Sequence, residues 1–138
     1  MIAAIRIAGM VNMDSKVEET FFRLRLRKKY CCVLIAEDSD KFQMMKKVRN
    51  FIAYGKINEE TLKKLIEKRG KKPGNKPIKD VDKIFKELIA NKYIEPSELK
   101  PFFSLHPPRG GIKSKLHYPK GVLGDNKEGI NKLIERML

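Results

Sequence analysis

The chain has 138 residues, the length of one ordinary domain, and carries 31 Lys and Arg residues against 17 Asp and Glu. A hydrophobic content of 41% excludes a disordered basic tail, and no apolar run has the length of a membrane span or the layout of a signal peptide. The formal net charge of +14 favours a polyanionic partner, and nucleic acid fits better than a membrane surface.

The first elements are predicted from hydrophobic spacing and capping residues. Residues 2–8 predict a strand that a glycine ends. Ser15 stands three residues before Glu18, the spacing of a capping box, so a helix is expected to begin there. This helix is expected to finish in the basic run 23–29, whose cations complement the negative end of the helix dipole. Residues 31–36 form a short apolar run that predicts a buried strand.

A second helix and a third strand complete the first unit. The acidic residues 37–40 offer an N-cap, residues 41–52 predict a helix, and residues 53–57 predict a weak strand interrupted by Gly55. Residues 1–57 therefore predict an α+β fold, in which a β-α-β-α-β core forms a small three-stranded sheet and resembles a ferredoxin-like, split β-α-β unit.

Residues 58–138 predict a mainly helical extension with a basic extended loop. Asn58 is expected to cap a helix over residues 59–68, residues 71–77 read as a basic linker, and residues 80–91 predict a fourth helix with a clean apolar stripe that includes Ile89. Residues 102–105 and 116–123 are expected to be two arms of an extended or hairpin element. A last helix is expected to start between Asp125 and Glu128.

The segment 105–111, Leu-His-Pro-Pro-Arg-Gly-Gly, is the most distinctive in the chain, and we call it the proline-glycine loop. Two prolines fix the backbone and remove two donors, and two glycines then release it, so neither a helix interior nor a central strand can hold it. It is expected to be a shaped loop within the wider basic region 105–121. A solvated surface turn and a contact with a phosphate chain are both open from these residues alone.

Residues that could carry catalysis or bind a metal are few. The adjacent Cys31 and Cys32 point to opposite faces of a strand, which favours small buried side chains over a disulfide or a zinc site. The acidic residues Glu37, Asp38 and Asp40 could hold magnesium, as in a nuclease, or could simply cap a helix. No nucleotide-binding or nucleophile motif is present, and we expect no cofactor and no small-molecule substrate.

Basic residues recur in four runs that are distant in sequence and are interleaved with aromatic residues such as Tyr30. Arginine can fork onto phosphates or stack on exposed bases, and charge spread over several loops suits a protein placed among several RNA segments. A DNA reader would more often concentrate its charge on one recognition helix. The predicted RNA-binding residues are Arg23, Arg25, Arg27, Lys28, Lys29, Lys47, Arg49, His106, Arg109, Gly110, Gly111, Lys113 and Lys115.

An ordered set of residues along the whole chain resembles the archaeal and eukaryotic type of the large-subunit ribosomal protein family uL30. The matching positions are Arg6, Gly9, Val11, Asn12, Val17, Thr20, Leu24, Leu26, Cys32, Met44, Lys47, Val48, Phe51, Ala53, Tyr54, Gly55, the proline-glycine loop and the turn 121–124. The resemblance implies a core of residues 1–57 and an extension of residues 58–138, packed as one compact unit. It also implies no enzymatic activity.

The resemblance further implies a cytoplasmic, structural protein of the large ribosomal subunit. Its partners would be large-subunit rRNA, near the 5S particle, and neighbouring ribosomal proteins. Two other functions stay open from the residues: a magnesium-dependent RNA-processing enzyme that uses Glu37, Asp38 and Asp40, and an architectural DNA-binding protein.

Overall fold

The computed structural model of the chain describes residues 1–7, 14–37, 40–72, 74, 76–91, 102–112, 116, 118 and 120–138. The described residues form an α+β fold with a ferredoxin-like arrangement, as predicted. In chain order the elements are β1 Ile2–Arg6, α1 Ser15–Arg23, β2 Cys31–Ile35, α2 Asp40–Lys47, β3 Ile52–Lys56, α3 Glu59–Arg69, β4 Lys71–Lys72, β5 Lys76–Pro77, α4 Val81–Asn91, β6 Phe103–Ser104, β7 Gly124–Asp125 and α5 Gly129–Met137.

The three predicted core strands form the centre of a five-stranded sheet with the order β6-β2-β1-β3-β7. Strand β1 lies antiparallel to both β2 and β3, and Ile5 faces Cys32 on one side and Ala53 on the other. The extension adds β6 antiparallel to β2 and β7 parallel to β3. Of the two alternatives for residues 102–105 and 116–123, the hairpin is therefore wrong: β6 lies beside β2, whereas Leu123 bonds with Leu116 and Tyr118 within its own segment, and β7, which follows that segment, lies at the opposite edge of the sheet.

Helices cover both faces of the sheet. Ile2, Ala4 and Val33 pack with α1 and α2, whereas Ala3 and Ile5 pack with α3, α4 and α5. Apolar residues therefore fill successive positions of β1, as expected for a strand buried on both faces.

The cysteines follow the same alternation. Cys31 packs on the side of α1 and α2, and Cys32 packs on the side of α3, α4 and α5. Both are buried and free, which confirms the prediction of small buried side chains.

The ends of the first two helices differ from the prediction. The N-cap of α1 is Asp14, whose carboxylate accepts a hydrogen bond from the main-chain nitrogen of Lys16 at 3.2 Å, so the capping box at Ser15 is wrong. Helix α1 ends at Arg23, the first residue of the basic run in which it was expected to finish. Helix α2 ends at Lys47 and does not extend to Ile52 as predicted. Ile52 is instead the first residue of β3.

The extension largely follows its predicted helices. Asn58 caps α3 by accepting from the main-chain nitrogen of Thr61 at 2.8 Å, as predicted. The segment predicted to be a basic linker forms the two-stranded β4–β5 hairpin. Ile89, placed on the buried stripe of α4, is 43% exposed. The predicted apolar face of α5 is buried.

Gly55 in β3 lies where the core and the extension approach each other closely. A Cβ atom there would collide with the main-chain oxygen of Lys127 and lie 3.0 Å from two side-chain atoms of Ile130. The glycine therefore does not interrupt the strand, but allows the start of α5 to pack directly on it.

Candidate nucleic-acid interface

The basic run after α1 is a loop of residues 24–30, which we call the basic loop, and its geometry follows from how α1 ends. The main-chain nitrogen of Arg25 donates to Phe22 O at 3.1 Å, and that of Leu26 donates to Phe21 O at 2.9 Å. These two bonds form a Schellman motif, and the buried Leu26 and Phe21 supply its usual hydrophobic contact. Helix α1 therefore stops inside the basic run.

Arg25 occupies the left-handed position of this motif with a φ of 64°. Glycine is the usual residue there, because a Cβ atom makes the left-handed conformation unfavourable. The alternation that follows buries Leu24 and Leu26 and exposes the intervening arginine. The motif therefore turns Arg25 outward at a cost in backbone strain.

Arg6 in β1 holds the basic loop against the sheet. Its Nη1 atom donates to Leu26 O at 2.8 Å and to Arg27 O at 3.2 Å, and its guanidinium lies 4.1 Å from the centroid of the Phe21 ring. Arg6 is only 5% exposed. Burial lowers the pKa of its guanidinium, and nearby Glu18 opposes this shift. The loop is thus shaped by a buried cation that sequence reasoning did not assign to the site.

The predicted cations of the basic loop are exposed. Arg25, Arg27, Lys28 and Lys29 are all exposed, and the guanidinium of Arg27 lies 4.2 Å from the ring centroid of Phe22, which is itself 60% exposed. Arg23 differs, because it forms an ion pair with Glu19 at 2.6 Å on the surface of α1.

A second exposed basic segment lies at the end of α2. Lys47 is the last residue of the helix and Arg49 lies in the turn that follows; both are exposed. The positive charge of Arg49 lowers the pKa of the Tyr54 hydroxyl, but burial and the charge of Asp125 outweigh it and raise that pKa overall.

The proline-glycine loop is attached to α5 by paired hydrogen bonds. The main-chain nitrogen of Arg109 donates to Arg136 O at 3.0 Å, and Arg136 Nε donates back to Arg109 O at 3.0 Å. Arg136 Nη2 also donates to Gly111 O. The side chain of Arg109 is left exposed, while its main chain is held in place.

The other predicted residues of this loop have structural contacts. The two ring nitrogens of His106 lie 2.6 Å from Pro107 O and 2.5 Å from Leu138 O, so the half-buried ring joins the loop to the last residue of the chain. Gly110 and Gly111 adopt φ values of 80° and 73°, which only glycine takes readily. Lys113 and Lys115 lie outside the described residues, as does His117.

The acidic cluster is only partly described. Glu37 forms an exposed ion pair with Lys56 at 3.8 Å, Asp40 begins α2, and Asp38 lies outside the described residues. Among the residues that the structure describes, no group of three His, Cys, Asp or Glu side chains could hold a metal ion.

The thiols of β2 are shielded from solvent. Burial raises the pKa of Cys31 to about 11, and nearby Arg6 and Lys28 oppose this shift. Burial also raises the pKa of Cys32. Cys31 Sγ donates a weak hydrogen bond to Arg25 O at 3.7 Å, which adds another contact between β2 and the basic loop.

Sequence reasoning missed Arg6 and Arg136, which fix the two loops. The signal for Arg6 was a lone charge inside an otherwise apolar strand, because such a charge needs partners. No comparable signal marks Arg136, which is an exposed residue in the last turn of a helix.

The fold and its exposed cationic segments define a small basic α+β protein with surfaces suited to a polyanion. A family model described as ribosomal protein L30p/L7e matches residues 2–52. The large ribosomal subunit protein uL30 of Archaeoglobus fulgidus is 38% identical over 151 aligned positions that cover 99% of each chain. The protein of the same name from Hyperthermus butylicus is 35% identical over an alignment that covers 100% of this chain and 90% of the relative. The one from Staphylothermus marinus is 38% identical, and that alignment covers 100% of this chain and 98% of the relative. The chain belongs to the uL30 family of ribosomal proteins.

Family membership confirms the resemblance read from the sequence, including its archaeal type. The family is a structural, non-enzymatic component of the large ribosomal subunit, so the alternative of a magnesium-dependent enzyme is wrong. None of the helices in the described part of the chain combines the length and apolarity that a membrane span requires.

Proposed function

We propose that the protein is a structural constituent of the large subunit of the cytoplasmic ribosome, where it binds rRNA by neutralising and clamping phosphates. The basic loop is the main contact, the end of α2 braces a second RNA segment, and the proline-glycine loop makes a third, shaped contact. The third contact includes Lys113 and Lys115 as well as Arg109. Its partners are large-subunit rRNA, near the 5S particle, and neighbouring ribosomal proteins.

One observation carries this proposal: the basic loop exposes four cations while hydrogen bonds to its main chain hold the loop in one conformation. Arg6 holds the loop through two main-chain oxygens, and the Schellman motif sets its turn. A loop that is already ordered loses less conformational entropy when it binds a phosphate chain. A flexible basic tail would have to be ordered on binding.

We further propose that two parts of the chain carry different RNA contacts. Residues 1–57 form the ribosomal core, which carries the first two contacts, and residues 58–138 form an extension that packs on it and carries the third. The shared apolar cluster between β1 and helices α3, α4 and α5 supports this arrangement as one compact unit.

The substitution Arg109→Ala tests the third contact. The hydrogen bonds of Arg109 to α5 use only its main chain, so the change removes an exposed guanidinium and keeps the loop attached. We expect a loss of about 1–3 kcal/mol in affinity for a large-subunit rRNA fragment with little loss of fold stability. The slope of log affinity against log salt should also fall by about one.

Lys83→Ala is the matched control, because Lys83 is an exposed cation on α4, outside the three proposed contacts. Equal rRNA affinity for Arg109→Ala and the parent would contradict the assignment of Arg109. Competition by duplex DNA at fixed salt addresses the remaining alternative: DNA that displaces rRNA as effectively as rRNA itself would favour an architectural DNA-binding protein.

A further inference from the structure

A pocket of about 230 Å³ opens beside the basic loop, at the edge of the sheet where β2 meets β6. Its lining joins parts of the chain that are far apart in sequence, because Cys31 of β2 pairs in register with Ser104 of β6. The lining residues are Arg25, Arg27, Lys28, Cys31, Phe102 and Ser104.

The lining divides into two chemical parts. Arg25, Arg27 and Lys28 are exposed cations, whereas Cys31 is buried and Phe102 is half-buried. The Cys31 thiol is turned to a main-chain oxygen of the basic loop. The pocket therefore combines an apolar, aromatic wall with a rim of three positive charges.

These two parts together favour one class of occupant. A phosphate alone would use the rim and leave the aromatic wall uncovered, and an apolar side chain would leave three cations unmatched. A nucleotide uses both parts of the pocket. The flat face of its base stacks on aromatic or guanidinium groups, and its sugar carries a phosphate that cations can bind. The volume is below the roughly 300–1,000 Å³ of pockets that enclose drug-sized ligands, which suits a single base.

The strain at Arg25 is a second, independent observation at the same place. An arginine in the left-handed position of the Schellman motif costs free energy that glycine would not. Local strain of this kind clusters at binding sites, where the side chain is needed in a position that the backbone resists. Here the strained residue is one of the three cations that line the pocket.

We propose that this pocket holds one unstacked base of single-stranded RNA, with the adjoining phosphates on Arg25, Arg27 and Lys28. This inference rests on the proposed function and names the part of the RNA that the basic loop receives. The base stacks on the wall that contains Phe102, and the loop therefore recognises an extruded nucleotide as well as the charge of the backbone.

The test compares a short oligoadenylate with an abasic oligomer of the same length and charge. One adenine is replaced by 2-aminopurine, which can be excited selectively because the chain contains no tryptophan. We expect the parent to bind oligoadenylate more tightly than the abasic oligomer by between about fivefold and a hundredfold, and to change the emission of the probe as it leaves its stack on neighbouring adenines.

Three variants separate the base from the phosphates. Phe102→Leu keeps apolar volume but removes the ring, and Ser104→Leu fills the pocket from an exposed strand position. Both should abolish the preference for oligoadenylate and leave abasic binding unchanged. Lys28→Ala is the matched charge variant and should weaken binding of both oligomers equally. Circular dichroism and melting temperature establish that each variant is folded, and Ser104→Leu covers the case in which Phe102→Leu is not.

The outcomes also separate this inference from the proposed function. If the parent binds large-subunit rRNA but shows no preference for oligoadenylate over the abasic oligomer, the base pocket is refuted and the proposed function stands. A preference that survives in Ser104→Leu also refutes the pocket. A parent that does not bind large-subunit rRNA overturns both.

Discussion

Replacing Arg25 with glycine should stabilise the fold and weaken RNA binding at the same time. The left-handed backbone at Arg25 costs a residue with a Cβ atom about 1–2 kcal/mol. Glycine removes this cost but adds about 0.5–1 kcal/mol of backbone entropy to the unfolded chain. The net gain is between about 0 and 1.5 kcal/mol in the free energy of unfolding, which raises the melting temperature by up to about 6 °C.

The loss of binding has a separate cause. The variant removes one exposed cation from the basic loop while the hydrogen bonds of the Schellman motif, which use only main-chain atoms, remain. The slope of log affinity against log salt for large-subunit rRNA should therefore decrease by about one. Urea denaturation gives the stability, and filter binding over a salt series gives the slope.

Arg25→Lys is the control for this prediction, because it keeps both the charge and the strained position. We expect it to have the stability of the parent and most of its RNA affinity. Arg25→Gly being less stable than the parent would refute the argument from backbone strain. A stabilised variant that bound rRNA with the salt dependence of the parent would instead show that Arg25 makes no phosphate contact.

Three further predictions concern stability, measured as the free energy of unfolding in urea. Arg6→Lys should lose about 2–4 kcal/mol, because an ammonium group cannot replace the planar guanidinium that bonds two main-chain oxygens and lies over an aromatic ring. A loss of less than about 1 kcal/mol, the value of a single neutral hydrogen bond, would contradict this prediction. Gly55→Ala should lose about 1–3 kcal/mol, because its methyl group meets the main-chain oxygen of Lys127, and unchanged stability would contradict the close packing of α5 on β3. Stability should fall as the pH rises from 9 towards 11, because burial raises the pKa of both Cys31 and Cys32, and the unfolded chain therefore releases these protons at a lower pH than the folded protein does. This stabilisation is complete below the pKa of the unfolded thiols and is lost progressively as the pH rises towards the folded values. Cys31→Ala should remove the part of the fall that Cys31 contributes, up to about 2 kcal/mol, and an equal fall in that variant would refute the assignment.

The β-α-β-α-β core was predictable because its signals are local. The burial of successive residues in β1 and the alternation of Cys31 and Cys32 follow from hydrophobic runs bounded by charge. The end of α1 was not predictable in the same way. Its left-handed position carries an arginine where a glycine would have marked the stop, and the contact that supports the turn comes from Arg6, in another element.

The edge strands show a second limit of local reasoning. Strands β6 and β7 contain two residues each, too few for a hydrophobic period to be visible, and they exist because β2 and β3 offer unpaired edges. The same long-range pairing brings Ser104 beside Cys31 and so completes the pocket. Charge runs in the sequence could name the cations of the candidate interface, but not the aromatic wall beside them.

The basic loop and the proline-glycine loop are held by different arginines but by the same device. Arg6 bonds main-chain oxygens of the first loop, and Arg136 bonds main-chain oxygens of the second. In each case one arginine fixes the backbone, so that other cations can remain exposed to solvent. Fixing a side chain on binding costs about 0.5–1.5 kcal/mol, and an ordered backbone avoids the additional cost of ordering the loop itself. If the two loops bind RNA as proposed, the two supporting arginines contribute to the affinity through the entropy that the loops no longer have to lose.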